Sequence, residues 1–317
     1  MLYFVAEDWY FWSHRRLLAL AALDKGYDVY VVTRVNNYGQ KIVDLGFKLI
    51  PITIDRHSKN IFLELRLLKE IIKIYRRIRP DLVHQIAMKP ILYGTTATLF
   101  TRATKIVNTF PGLGYVFESK RFKDISIRFF LINIFKYLFM LRPVKVIVQN
   151  KDNANLLISE SVCKEKDLSL IRGSGVDLRE YVQSDEVSDT PIILFASRLL
   201  WQKGIADFVA AASIVRKNIT NVRFVIVGEP DKNNPNSVPE ATLNEWNEGE
   251  LVEWWGYQSQ MPKTLSRVKM VVLPSFYGEG VPKVLIEAAA CEKPIITTDM
   301  PGCREIVIHK HNGFLVE

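Results

Sequence analysis

The stretch from Met270 to Cys291 constrains this chain more than any other. Met270-Val271-Val272-Leu273 is a short apolar run of the kind that forms a buried strand, and Pro274 to Gly280 reads as a loop. Val281 onward predicts a helix with Pro282 in its first turn, where a missing N–H costs nothing. A strand, a glycine loop and a helix in succession form a unit of an α/β protein. The amides that open such a helix lack intrahelical partners and carry the positive end of its dipole, so they suit a phosphate. Glu279 in the loop and Glu287 eight residues later, inside an otherwise apolar helix, add a second demand. A carboxylate placed there needs hydrogen-bond donors, which a sugar or ribose supplies and a phosphate does not. The spacing alone equally fits a buried structural Glu beside an ordinary turn.

The same unit recurs along the chain. Leu2 to Ala6 predicts a first strand, Glu7 to Arg16 a loop at its carboxyl end, and Leu17, Leu20, Ala21 and Leu23 a helix that stops at Gly26. Strands follow over 27–33, 47–52, 82–84, 106–109, 144–149 and 168–172, with helices over 61–79 and 151–161. Parallel-sheet hydrophobicity in this alternation predicts a doubly wound domain, whose ligands lie beyond the carboxyl ends of the strands. Three segments fall there. The first holds Trp9, Tyr10, Phe11, Trp12, Ser13, His14 and Arg15, whose aromatic faces suit sugar rings or isoprenoid chains and suit packing over a sheet edge just as well. The second holds His84 and Lys89. The third, Phe110 to Phe117, holds Gly112 and Gly114, which allow a backbone to approach a ligand closely. The polar run 183–190 predicts a linker, giving domains 1–184 and 185–317. A new strand over 191–196 starts the second doubly wound unit, and its loop carries Arg198 and Lys203, a planar fork and a point charge able to converge on one anion. Further strands are expected over 222–228 and 251–255, and the polar run Asn233 to Val238 reads as an insertion-like loop with no assigned partner.

The chain has 317 residues, 48% of them hydrophobic, enough for two cores. Cys163, Cys291 and Cys303 show no metal-ligand spacing and suit a reducing compartment. Residues 1–185 hold 29 Lys and Arg against 18 Asp and Glu, a balance of +11, whereas 186–317 hold 13 against 16, or −3. The basic first half implies an anionic partner, and acidic lipid head groups or nucleic acid would both qualify. Between Lys120 and Lys145 basic residues alternate with Ile125, Phe129, Phe130, Leu131, Ile134, Phe135, Leu138 and Phe139. That pattern predicts a helix in a membrane interface, or one packed on the sheet with a solvated basic side. No apolar run is long enough to span a bilayer and no signal peptide is legible, so the expected location is cytoplasmic, at the inner face of the cytoplasmic membrane.

Glu279-x7-Glu287, followed by Gly280, Pro294 and Gly302, resembles the donor-site motif of the retaining glycosyltransferases of family 4, and Arg198 and Lys203 match that family's diphosphate-gripping pair. The resemblance covers nearly the whole chain. It implies the GT-B fold, two Rossmann-like domains facing across a cleft, the first binding an acceptor and the second a nucleotide sugar. The family's C-terminal return helices are absent from this sequence. Also as the resemblance implies, Arg198, Lys203 and Glu279 serve catalysis, and Gly228, Gly280, Val281, Lys283 and Glu287 bind the donor, with Glu287 on the ribose and Tyr257 near the base. Many relatives carry a glycine pair in the first loop and a histidine in the loop after Thr109; this sequence has neither, so a histidine role passes to His14 or His84. The aromatic first loop, Lys89-Pro90 and Gly112-Leu113-Gly114-Tyr115 look like enzymes that extend undecaprenyl diphosphate-linked saccharides, making Trp9, Lys89, Gly112, Gly114 and Tyr115 acceptor-binding candidates. The expected donor is UDP-GalNAc or a close relative. No cofactor and no metal are expected, because no Asp-x-Asp motif is present and Arg198 and Lys203 supply the positive charge. The expected partners are a nucleotide sugar, a lipid-linked saccharide and an anionic membrane surface, and not nucleic acid. A UDP-sugar 2-epimerase of the same architecture and a non-catalytic nucleotide-sugar or membrane-binding protein remain the alternatives.

Overall fold

Short Val- and Ile-rich runs cannot satisfy their backbone groups alone, and helices returning each one to the same direction force a parallel sheet covered on both faces. The computed structural model, which describes residues 1–55, 60–101, 105–114, 117, 122–182, 190–231 and 234–317, shows this twice. The chain divides into Met1–Ser174 and Gly175–Glu317. Residues 183–189, where the polar run suggests a linker, lie outside the described residues, and Tyr181 already belongs to the second core.

In the first unit β1 (Leu2–Glu7), α1 (Asp8–His14), α2 (Arg16–Asp24), β2 (Tyr30–Arg34), α3 (Gly39–Asp44), β3 (Lys48–Pro51), α4 (Ile61–Ile78), β4 (Leu82–Ile86), α5 (Met88–Thr98), β5 (Lys105–Phe110), α6 (Phe122–Leu141), β6 (Lys145–Val148), α7 (Lys151–Ser159) and β7 (Leu168–Leu170) follow in order. The sheet runs β3-β2-β1-β4-β5-β6-β7, all parallel. Chain direction across the sheet reverses between β1 and β4, where Tyr3 lies opposite His84. Helices α1 to α3 cover one face through Phe11, Ala19 and Ile42. Helices α4 to α7 supply Leu67, Ile71, Ile91, Phe135 and Leu157 to the other core.

The second unit contains β8 (Ile192–Ala196), a 3₁₀ turn at Trp201–Lys203, α8 (Ile205–Arg216), β9 (Arg223–Val227), α9 (Glu240–Glu248), β10 (Glu253–Trp254), α10 (Met261–Ser266), β11 (Met270–Leu273), α11 (Lys283–Ala290), β12 (Ile295–Thr298) and β13 (Gly313–Val316). Its order is β10-β9-β8-β11-β12-β13, again all parallel, with the reversal between β8 and β11. Crevices at such reversals are where open α/β sheets bind ligands.

Two local expectations change. The expected loop Glu7–Arg16 is helical: β1 passes directly into α1, and α2 starts after Arg15. The Asp8 carboxylate drives this, accepting the amides of Trp9, Asn36 and Tyr38 at 2.7, 2.7 and 2.8 Å and so closing the helix start onto the segment after β2. Strand β4 runs on to Ile86, which places His84 inside the strand rather than at its end.

Candidate functional site

The second unit gathers its chemistry at the carboxyl ends of β8 and β11. After β8 the chain enters the turn that carries Lys203 and then Gly204, at φ 74°. A Cβ on Gly204 would sit 2.0 Å from the Pro274 carbonyl oxygen, so the two loops touch backbone to backbone and only glycine fits. The Phe276 amide donates to the Gln202 carbonyl at 3.1 Å and locks the same approach. Lys203 therefore points at the loop after β11, where its Nζ is paired with the Glu279 carboxylate. The Ser275 hydroxyl donates to the other Glu279 oxygen at 3.2 Å. The Lys203 side chain is only 9% exposed, so this pair works in a poorly screened setting.

Beyond Glu279, Gly280 is clamped by Gly302: a Cβ on Gly302 would meet the Gly280 carbonyl oxygen at 1.6 Å. Pro282 is the N-cap of α11, so the helix begins at Lys283, two residues later than the Val281 start that the sequence suggests. Pro282 brings no capping side chain, and the first amides of α11 face the loop uncapped. One turn on, Glu287 is buried; its Oε1 accepts from the Tyr181 hydroxyl at 2.7 Å and pairs with Lys283 Nζ at 3.2 Å. Neither bond uses Oε2. Burial first, and then the Glu287 charge, push the Tyr181 hydroxyl far above its ordinary range, so it remains a donor. Tyr181 is not legible in the sequence, because 106 residues separate it from Glu287 and it belongs to no motif.

Arg198 stands two residues past the end of β8 and its side chain is 47% exposed; its Nη1 lies 3.6 Å from Asp231 Oδ2. Asp231 is carried there because residues 199–201 bond to the segment after β9: Leu199 N to Glu229 O at 3.3 Å, Trp201 N to Asn236 O at 3.0 Å, and Val238 N to Leu199 O at 2.9 Å. The unassigned polar loop thus has the Arg198–Lys203 segment as its partner; its first residue, Asn233, lies outside the described residues. Gly228, at φ 137°, approaches Ser197 so closely that a Cβ would lie 2.0 Å from its carbonyl oxygen. Val281 is buried beside Gly280, and Tyr257 is exposed. The structure thus unites Lys203 with Glu279 and Lys283 with Glu287, and pairs Arg198 with Asp231.

In the first unit Trp9, Lys89, Gly112 and Gly114 follow the adjacent strands β1, β4 and β5 and share one sheet edge. Lys89 Nζ donates to Glu64 Oε1 and to the Asp55 carbonyl, both at 2.7 Å. Gly114 takes φ 77°, and Leu113 between the glycines is buried. Tyr115 lies outside the described residues. The histidines do not join this edge. His14 closes α1, stacked on Tyr10 with ring centroids 4.2 Å apart and bonded to Ser13. His84 is 3% exposed, its Nε2 2.7 Å from the Thr109 hydroxyl. Burial, aided by the Arg15 charge, lowers its pKa to about 3, so its imidazole is neutral.

Two parallel α/β units, each with polar residues gathered where its strand order reverses, define a nucleotide-binding class of architecture, and comparison with known proteins gives the family. Residues 1–150 match the model described as "Glycosyl transferase 4-like", and residues 179–317 match "Glycosyl transferases group 1". The chain belongs to these glycosyltransferases and has the GT-B fold. It is 28% identical over 314 residues, 95% of this chain and 81% of the relative, to the N,N'-diacetylbacillosaminyl-diphospho-undecaprenol α-1,3-N-acetylgalactosaminyltransferase of Campylobacter jejuni. It is 25% identical, over 79% of this chain and 66% of the relative, to the UDP-Gal:α-D-GlcNAc-diphosphoundecaprenol α-1,3-galactosyltransferase of Escherichia coli. Among solved structures it is similar in fold to Anabaena HepE in complex with UDP-glucose, with a TM-score of 0.76 at 17% identity over 99% of this chain and 84% of that one.

Proposed function

We propose that this chain transfers a hexose or N-acetylhexosamine from a UDP-sugar to an undecaprenyl diphosphate-linked saccharide, with retention of anomeric configuration and without a metal. The observation that carries this reading is the Lys203–Glu279 pair at the β8/β11 reversal, its lysine buried, with the Glu287–Lys283–Tyr181 group on the helix that follows. Lys203 and the exposed Arg198 fork neutralise charge that grows on the leaving diphosphate as the glycosidic bond breaks, aided by the uncapped amides of α11. Glu279 positions the sugar hydroxyls. Glu287, its Oε1 held by Tyr181 and Lys283, offers Oε2 to the ribose. Because two side chains supply the cationic charge, turnover is expected to persist in excess EDTA. The relatives from Campylobacter jejuni and Escherichia coli, named for diphospho-undecaprenol acceptors, support the acceptor class, and the first supports UDP-GalNAc or a close relative as donor.

The first unit brings the acceptor edge to a membrane surface. Among the described residues no helix is long and apolar enough to cross a membrane. Helix α6 buries Ile132, Phe135 and Leu138, yet its outer side is also apolar: Phe129 and Met140 are 71% and 72% exposed, and Phe130 and Tyr137 stand beside them. That outer face suits the interface of an anionic bilayer and favours this reading over a merely solvated basic side.

Incubation with radiolabelled UDP-sugars, with and without a lipid-linked saccharide, tests the reaction. Transfer of label to the lipid only when acceptor is present is the expected outcome. Conversion of the sugar without acceptor would establish an epimerase instead, and binding without any turnover a non-catalytic protein.

A further inference from the structure

Arg15 stands between α1 and α2 and is only 7% exposed. Its Nε and Nη2 are buried without a hydrogen-bond partner, and it makes no ion pair among the described residues. A guanidinium cannot shed its charge in a protein, so it remains a cation in a setting where an unpaired charge costs several kcal/mol. The carboxylates nearest in sequence are committed elsewhere: Asp8 to three backbone amides, Glu7 to Arg34 and Asn36. The Arg15 charge acts instead on two neutral groups, Tyr3 and His84, which face each other across β1 and β4 with ring centroids 5.3 Å apart. The His84 ring is occupied at Nε2 by Thr109 and brings no negative charge. The Tyr3 hydroxyl is a further buried group without a partner. Arg15 closes α1 by donating its amide to the Phe11 carbonyl at 2.8 Å, and the Phe11 ring packs on Tyr3 with centroids 5.7 Å apart, so Arg15 and Tyr3 are donors lacking an acceptor, gathered at the point where the first sheet reverses its strand order.

We propose that Arg15 and the Tyr3 hydroxyl form a binding site for an oxyanion of the phosphate class, separate from the Arg198 and Lys203 group of the second unit. A phosphate presents several oxygens to a planar fork and a hydroxyl at once, and its charge compensates the guanidinium. The site stands whether or not the transferase reading holds. Its chemistry is shared by free phosphate or diphosphate and by the diphosphate of a prenyl carrier.

Thermal unfolding of the full chain, first in phosphate-free buffer and then with pyrophosphate, decides the matter. At about a hundredfold excess over Kd, pyrophosphate raises the midpoint of the wild type by roughly 5 °C more than that of Arg15→Met. Arg198 and Lys203 are intact in both proteins, so the difference isolates Arg15, and it persists in an Arg198→Ala background. Without oxyanion, Arg15→Met unfolds at a higher temperature than the wild type, because an uncompensated buried charge has been removed. Arg15→Lys, which keeps the charge and loses the fork, binds pyrophosphate roughly tenfold more weakly and covers the case in which Arg15→Met does not fold. Farnesyl diphosphate in detergent forms a second arm: a larger Arg15-dependent shift than with pyrophosphate identifies a prenyl carrier, and equal shifts identify the free oxyanion. Equal pyrophosphate shifts in wild type and both variants, or a lower midpoint for Arg15→Met without oxyanion, would overturn the proposal.

Discussion

At the scale of single residues, the second unit balances each cation of its carboxyl edge against a carboxylate. Lys203 is the one whose loss costs most, since it is nearly buried and its removal also leaves Glu279 without its cation. Lys203→Ala is expected to lower kcat/KM for the UDP-sugar by about 100-fold to 1,000-fold, the range for removing one preorganised charge-stabilising group. Arg198→Ala, at an exposed position, lowers it less, and steady-state kinetics on both variants checks the order. Tyr181→Phe removes one donor from a buried carboxylate and destabilises the second unit by about 1–3 kcal/mol, measurable by denaturant unfolding. His84 gives a pH dependence of known sign. Its folded pKa near 3 lies below the ordinary value of 6.5, so between those limits the unfolded chain binds the extra proton. Its contribution to stability is therefore complete above pH 6.5 and is lost as pH falls toward 3, at up to about 1.4 kcal/mol per pH unit. His84→Asn should flatten unfolding midpoints across that window; an unchanged slope would show that the ring titrates normally in the folded chain.

Among the elements, strands were the most legible. Met270–Leu273 is a strand over the residues its apolar run suggests, and the loops that carry Lys203 and Glu279 fall where parallel strands end. What escaped the sequence depended on contacts between distant segments. Trp9 to Trp12 looked like a loop because four consecutive aromatics hide a helical period, and the cause of the helix, Asp8, acts through amides 28 and 30 residues away. His84 looked like a strand-end residue because Gln85 is polar, yet Gln85 is buried on the opposite face and bonded by Thr95 and Tyr75. Gly302 belongs to a motif legible in the sequence, and its physical reason appears only in three dimensions: the turn after β12 presses on the Gly280 carbonyl. At φ 87° an alanine is strained, and its Cβ would displace the loop that carries Glu279. Gly302→Ala is accordingly expected to destabilise the fold by roughly 2 kcal/mol or more and to weaken UDP binding, read by calorimetry, whereas Gly26→Ala meets no atom within 4 Å and should leave UDP binding unchanged.

For the whole molecule, charge and apolar exposure fall on the same half of the chain. The first 185 residues carry the entire basic excess, and the first unit also exposes Phe129, Phe130, Tyr137 and Met140 on α6 together with Phe62, Leu63 and Leu65 at the start of α4. Both helices contribute to the core on the same face of the first sheet, so the exposed side chains lie on one flank of that unit. Electrostatic attraction alone would bring the chain to anionic lipid and disappear in high salt, whereas inserted aromatics would hold it there. The two contributions separate by mutation. Replacing Arg128, Lys136 and Arg142 by Gln should weaken partitioning onto vesicles containing anionic lipid and make the remainder insensitive to salt. Replacing Phe129 and Phe130 by Ser should reduce partitioning at every ionic strength, by about 2–4 kcal/mol if both rings insert fully. Vesicle sedimentation at low and high salt measures both, and unchanged partitioning in both variants would remove α6 from the membrane contact while leaving the chemistry of the second unit intact.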